Sequence, residues 1–339
     1  MNKGTFKLLG IVFTILVLAG CGGGGSGGSS SESIDNNTEE DTSLYQGAKT
    51  PVQINLSNAE TLTRVLLSGS NSSASDAVQA QTLSKPLPAA IQKQINNRSI
   101  RYTSMTNIEG ETNTYSSQST TETIQGLNSG TLYVEDLSNG EVTGTVILTY
   151  TNFNDDDGET INGKMTMEVI SYDSTFDFPT DSKIFYENFR ISSDTIDETV
   201  TGEIRIKFNT QTGSQTVSVN FDTKDNNTAE SLRFENLVSI ISPYTQDEEG
   251  NLLFTESYSG RIYISTLGYF DVSTQSPLFC SRCDNSEYLP GGSLFLSGEN
   301  NSSILISVIN TEQLQAQIDE DGDEYYESTL ILNFSNIGL

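Results

Sequence analysis

The chain has 339 residues, enough for one large domain or two, and carries 17 Lys+Arg against 45 Asp+Glu for a net charge of −28. That balance argues against a nucleic-acid partner, whose phosphates need cations to meet them. The absence of His removes Ser-His-Asp and Cys-His nucleophiles, His-ligated metals and haem attachment. Carboxylates, Tyr, Lys and Ser remain. Hydrophobic content is only 35%, yet 15 Phe and 14 Tyr can supply the bulk of a sheet core.

From Met1 to Gly20, Lys3 and Lys7 precede an apolar run from Leu8 to Leu18 that is too brief to span a bilayer comfortably. This reads as a secretory signal, removed in the mature protein. The sequence Leu18-Ala19-Gly20-Cys21 resembles the bacterial lipobox. The resemblance implies cleavage before Cys21 and a diacylglyceryl group on its sulfur. Acyl chains bury methylenes at about 0.8 kcal/mol each, and more than one chain makes a stable anchor. Gly22, rather than Asp, follows the cysteine, which by the same resemblance implies the outer membrane of a Gram-negative envelope. Removing residues 1–20 takes away two cations, leaving 15 against 45 acids, a net −30.

Residues 21–49 form a tether, first Gly/Ser-rich from Gly22 to Ser31 and then acidic from Glu32 to Asp41. Residues 50–98 read as a small helical preface. Pro51 to Ser57 suggests a first strand. Ser57-Asn58-Ala59-Glu60 has the spacing of a capping box, followed by helical apolar positions at Leu62, Val65 and Leu66. Two more short helices are expected over 76–83 and 88–95. Packing against one end of a sheet is one role for these helices, a lid or docking surface another.

From residue 99 to 339 the period is two. Ile204, Ile206 and Phe208 alternate with Glu203, Arg205 and Lys207, placing one face in a core and the other in water. The same alternation puts Leu148 and Tyr150, Met165 and Met167, Val217 and Val219, and Leu330 and Leu332 inward. Asn128-Ser-Gly130, Asn139-Gly140, Asp157-Gly158, Asn162-Gly163, Glu249-Gly250 and Asp321-Gly322 supply hairpin chemistry. No segment is long enough for a parallel crossover, so the strands should be antiparallel. A weak repeat runs through Tyr150-Thr-Asn152-Phe153, Tyr186-Glu-Asn188-Phe189, Phe234-Glu-Asn236-Leu237 and Phe334-Ser-Asn336-Ile337. The first three are each followed by a Gly-led strand, at Gly163, Gly202 and Gly260, so the aromatic-x-Asn step reads as a strand end. The expected fold is all-β: an extended antiparallel meander forming a curved sheet, an open barrel or a sandwich, with the short helical segment in front.

Candidate sites are sparse. Cys280-Ser-Arg-Cys283 is a CxxC pair set in a loop, which reads as a disulfide staple, with a redox or metal role as the alternative. Asp155 and Asp157 in one acidic loop, and Asp319, Asp321 and Asp323 in another, suggest weak calcium sites or plain hairpin turns. Neither loop completes the EF-hand pattern, because counting from Asp319 the glycine falls at position four and Leu330 at position twelve. No other cofactor is expected, and nothing selects a catalytic pair of carboxylates.

Together, lipobox, Gly/Ser tether, a helix opening on Ser-Asn-Ala, and Gly-led strands alternating with aromatic-x-Asn steps resemble a group of uncharacterised bacterial lipoproteins. That resemblance brings no activity with it. The expectation is a non-enzymatic, lipid-anchored binding or structural module of the cell envelope. Its partners would be the membrane, through the anchor, and other envelope or extracellular proteins. The alternative is a carrier whose curved sheet holds a lipid or other hydrophobic ligand, with Met165 and Met167 as a deformable lining. A membrane-spanning barrel would need Glu203, Arg205 and Lys207 to line a lumen.

Overall fold

The computed structural model describes residues 44–68, 120–138, 142–154, 158–175, 178–194, 196–242, 245–246, 252–281, 287–289 and 291–334. The expected signal, the expected tether up to residue 43, the expected helices over 76–83 and 88–95, and the start of the expected β region at residue 99 lie outside them. Among the described residues there is one α-helix, α1 (Leu56–Ser68), and a single antiparallel sheet. Its strands are β1 (Thr120–Gln125), β2 (Ser129–Asp136), β3 (Gly144–Asn154), β4 (Thr160–Asp173), β5 (Phe178–Ser192), β6 (Asp197–Asn209), β7 (Ser214–Asp225), β8 (Ser231–Ile241), β9 (Thr245–Gln246) and β10 (Leu252–Ile264). They continue with β11 (Gly268–Ser276), β12 (Leu278–Ser281), β13 (Glu287–Leu289), β14 (Ser293–Ser297), β15 (Ser303–Val308), β16 (Gln313–Asp319) and β17 (Ser328–Asn333).

The pairing is a meander. Each strand from β1 to β8 pairs with the next, and β8 pairs with β10. β11 and β12 then lie end to end along β10, and β14 and β13 lie end to end along them. β15, β16 and β17 complete the order. β1 and β17 do not pair with each other, so the sheet is open rather than a closed barrel.

The aromatic-x-Asn steps fall inside strands and do not end them. Asn152, Asn188 and Asn236 have left-handed φ values of 47°, 48° and 49°. At each, the register against both neighbouring strands slips by one residue, which defines a β-bulge. The three bulges share one construction. On one side a neighbouring side chain accepts the asparagine N–H: Asn162 Oδ1 at 2.8 Å, Thr201 Oγ1 at 3.1 Å and Asn220 Oδ1 at 2.6 Å. On the other side the asparagine carbonyl lies against a glycine: Gly130, Gly163 and Gly260 respectively. Gly163 has φ +97°, and a Cβ there would strike the Asn188 carbonyl. Asn162-Gly163 therefore lies within β4, opposite the bulges of β3 and β5, and is not a hairpin turn. Asn suits the bulged position because its short polar side chain tolerates the left-handed region better than other non-glycine residues do. Phe334-Ser-Asn336-Ile337 runs out of the described residues after Phe334.

The core lies on one face. Leu148, Tyr150, Met165, Tyr186, Ile204, Val217, Val219, Phe221 and Leu332 are buried there, as the period-2 pattern requires. Across β3 and β5 the rings of Tyr150, Phe153, Tyr186 and Phe189 meet edge-on or tilted at centroid distances of 5.4 to 5.9 Å. Between them the bulges bring the aromatics at i and i+3 onto the same face, which strict alternation would not allow. The opposite face is polar and cross-linked by ion pairs between neighbouring strands: Lys164–Glu187, Lys183–Glu203, Arg205–Asp181, Arg233–Asp222 and Arg261–Asp271.

Helix α1 starts two residues earlier than the Ser57 capping box implies. Asn55 Oδ1 accepts the Ser57 N–H at 3.0 Å, and Asn58 Oδ1 accepts the Asn55 N–H at 3.0 Å, a reciprocal cap built from two asparagines. Ala59, Leu62 and Val65 are fully buried, and the helix packs on β16 and β17. Pro51–Ser57 is not a strand. Only Pro51 makes a bridge, parallel to Tyr269, supported by Val52 N–H to Tyr269 O and Tyr269 N–H to Thr50 O.

Upstream of that bridge the chain lies on the other face. Ile262 and Ile264 point into the core, so Tyr263 between them points away from it, and Tyr45 packs on Tyr263 at 5.5 Å. Asp222 Oδ2 accepts the Tyr45 N–H, while Arg233 donates to Asp222 and lies 5.5 Å from the centre of the Tyr45 ring. Burial pushes the Tyr45 phenol up to about 12, with Arg233 opposing the shift. The segment from Tyr45 to α1 thus passes round one end of the sheet, from the polar face to the core face.

Candidate functional site

Among the described residues, the β16–β17 turn is the one place where the structure gathers sequence-expected ligands. The hairpin turns back through Asp319-Glu-Asp-Gly-Asp-Glu324, with Gly322 at φ +80°. Asp319, Asp321, Asp323 and Glu327 each bring a carboxylate oxygen within 4.8 Å of the others. Asp319 is buried and the other three are exposed. Asp319 organises the turn by accepting the Gly322 N–H at 2.7 Å on one oxygen and the Glu324 N–H at 3.0 Å on the other. Asp321 accepts the Asp323 N–H, Asp323 accepts the Tyr325 N–H, and Glu327 accepts the Glu320 N–H. Glu320 reaches across to accept the Leu56 N–H at 3.0 Å, placing a carboxylate at the start of α1. The Tyr326 phenol is held above its ordinary value by burial and by the nearby Asp319 and Glu324 carboxylates.

Chemically this is an all-oxygen, strongly anionic pocket, the donor set a hard cation such as calcium takes. Every one of its four carboxylates already serves a backbone N–H, so each has a complete role as turn architecture without a metal. Glu327 escaped the sequence reading, which measured the loop against the twelve-residue EF-hand. The recoverable signal was carboxylates at positions 1, 3, 5 and 9 of a tight turn.

Of the remaining expected site residues, only Cys280 is described. Asp155, Asp157, Cys283 and the lipobox-like Cys21 lie outside the described residues. Cys280 is in β12, in register opposite Phe254 of β10 and Tyr288 of β13.

A second group of buried polar side chains was not legible from the sequence. On the core face, Ser239 Oγ donates to Glu256 Oε1 at 2.7 Å, and burial pushes the Glu256 carboxyl above its ordinary value. Gln215 is buried one strand away, and its Nε2 has no hydrogen-bond partner among the described residues.

These features define an open all-β meander with an acidic turn at one end. No known family model matches the chain, and no curated protein or solved structure matches it.

Proposed function

We propose that this chain is a lipid-anchored, non-catalytic binding or structural module of a bacterial cell envelope, held at the outer membrane through Cys21. The observation that carries the reading is the filled core face, on which side chains from β2 to β17 and from α1 join one continuous apolar cluster. A filled face supports a rigid display surface better than the alternative, a carrier that needs an apolar space for a hydrophobic ligand. Met165 and Met167 belong to that packed cluster, with Met165 fully buried. The carboxylates of the polar face are largely engaged with Arg and Lys on neighbouring strands, which suits a stable surface more than acid–base chemistry. The resemblance to lipobox-bearing lipoproteins supplies the address, and the acidic exterior favours cations or basic protein patches as contacts.

The test is the mass of the N-terminal peptide of protein expressed in a Gram-negative host, together with membrane fractionation. A peptide beginning at acylated Cys21, lost in Cys21→Ser, is the expected result. An unmodified peptide beginning elsewhere overturns the anchor. Lipid extracted from anchor-free Cys21→Ser protein in stoichiometric amount would favour the carrier instead.

A further inference from the structure

β17 is an edge of the sheet. Ser328–Asn333 pair with β16 on one side and with no described strand on the other. Sheet proteins ordinarily blunt such edges with lysine, proline, a bulge or an inward charge. β17 has none of these. Its sequence, Ser-Thr-Leu-Ile-Leu-Asn, is uncharged, its register with β16 runs without a slip, and Ile331 is 52% exposed. The opposite edge, β1, has the exposed carboxylate of Glu122 within six residues.

We propose that β17 is the site where a second copy of this chain adds its own β17, antiparallel, about a two-fold axis through Ile331. The register is self-complementary. With Ile331 facing Ile331 of the second copy on the outer face, Leu330 meets Leu332 of the second copy on the core face and Thr329 meets Asn333. Both apolar rows therefore continue across the junction, and every facing pair is uncharged. Charge selects the same place and orientation. Each molecule is strongly acidic overall, so copies can approach closely only where a neutral surface is offered. The outer faces of β14 to β17 offer one: Phe295, Leu305, Gln315, Gln317 and Thr329 stand where β4 to β7 have Lys, Arg, Asp and Glu. A parallel arrangement would set the two Asp319–Glu327 turns side by side. The antiparallel one places them about one strand length apart, roughly 20 Å, well beyond the ~8–10 Å screening length. This pairing does not depend on the lipid anchor.

The experiment uses the full chain in a mild detergent. Sedimentation velocity across a concentration series is expected to show a monomer–dimer equilibrium that strengthens when salt rises from ~0.05 to ~0.5 M, because screening relieves like-charge repulsion. Ile331→Lys should weaken it at least tenfold, while Leu127→Lys, the same charge change at a turn near the far edge, leaves it unchanged. Under mild oxidation Ile331→Cys should cross-link to itself, mapped by mass spectrometry. Thr329→Cys should not, since its symmetry mate lies about 13 Å along the strand. Three results overturn the proposal: a monomer at every concentration, Ile331→Lys dimerising as well as the parent, or equal cross-linking at positions 329 and 331. Slow exchange of the Thr329, Ile331 and Asn333 amides, which face away from β16, in dilute, monomeric protein also overturns it, because the chain's own residues would then cover the edge.

Discussion

The two arms of the sheet solve the same packing problem by different means. From β2 to β8 the strands are long, bulged at three aligned asparagines, filled with aromatic rings on the core face and laced with ion pairs on the other. From β14 to β17 they are short and keep unbroken register. There the core face is aliphatic, with Leu294, Leu296, Ile304, Ile306, Leu314 and Ile318 buried, and the outer face carries almost no charge. A bulge bends and twists the strand that contains it, so the first arm can draw its large side chains together by curvature. The second arm has no such bulge, and a separate layer, helix α1, packs on its last two strands. One arm makes its own concavity, while the other borrows a lid.

The sharpest way to break that comparison is to remove the lid's anchor. Leu62→Ala should cost about 3 kcal/mol in a urea titration, with hydrogen exchange accelerating in β16 and β17 before β3 to β7. Uniform acceleration would show that the arms are one cooperative unit. The next largest effect belongs to the bends. Gly163→Ala should destabilise by about 2 kcal/mol, since the new Cβ meets a carbonyl at a φ that alanine resists. Asn188→Gly, which keeps the bulge, should fall within ~0.5 kcal/mol of the parent.

How much of this the sequence displayed depends on whether the signal was local. Alternation at Ile204-Arg205-Ile206 is a property of neighbours, and the strands and their core faces follow from it. The bulges are not local. Tyr186-Glu-Asn188-Phe189 looks like a strand end because Asn and the following change of phase interrupt the period of two. The strand continues only because Thr201 and Gly163 on either side accommodate the slip, and that relation spans two hairpins. The same holds for the acidic turn, where Glu327 joins the aspartates through the fold of the hairpin rather than through an established loop template. Glu256 is the extreme case, an acid in a strand whose burial depends on β8 and its neighbours.

Glu256 gives the pH-dependent test, at the strand where the two arms join. Its folded-state affinity for a proton exceeds that of the unfolded chain, so the stability it contributes is complete below about pH 4.5 and is lost as pH rises through the folded value. Glu256→Gln should therefore gain roughly 1 kcal/mol over the parent at pH 8 and little at pH 4, read from paired thermal melts. Asp181 runs the other way. Its hydrogen bonds from Arg205 hold it below the ordinary carboxylate range, so its contribution is present at neutral pH and lost as pH falls through that lowered value. Asp181→Asn should cost up to ~1 kcal/mol at neutral pH, less in high salt. The smallest effect is expected at the acidic turn. Asp321→Asn should stabilise by a few tenths of a kcal/mol at low salt, because it relieves repulsion among four clustered carboxylates.

The path of residues 45–55 has a mechanical consequence. The chain is gripped on the polar face at Tyr45, turns over the sheet end beside Tyr269 and Glu299, and only then enters the helix. It works as a rope belayed round a cleat. A pull from the N-terminal side loads the Tyr45–Asp222–Arg233 grip and the rim of the sheet before any tension reaches α1. Such a pull therefore presses the strap against the β10–β11 turn instead of lifting the helix from β16 and β17.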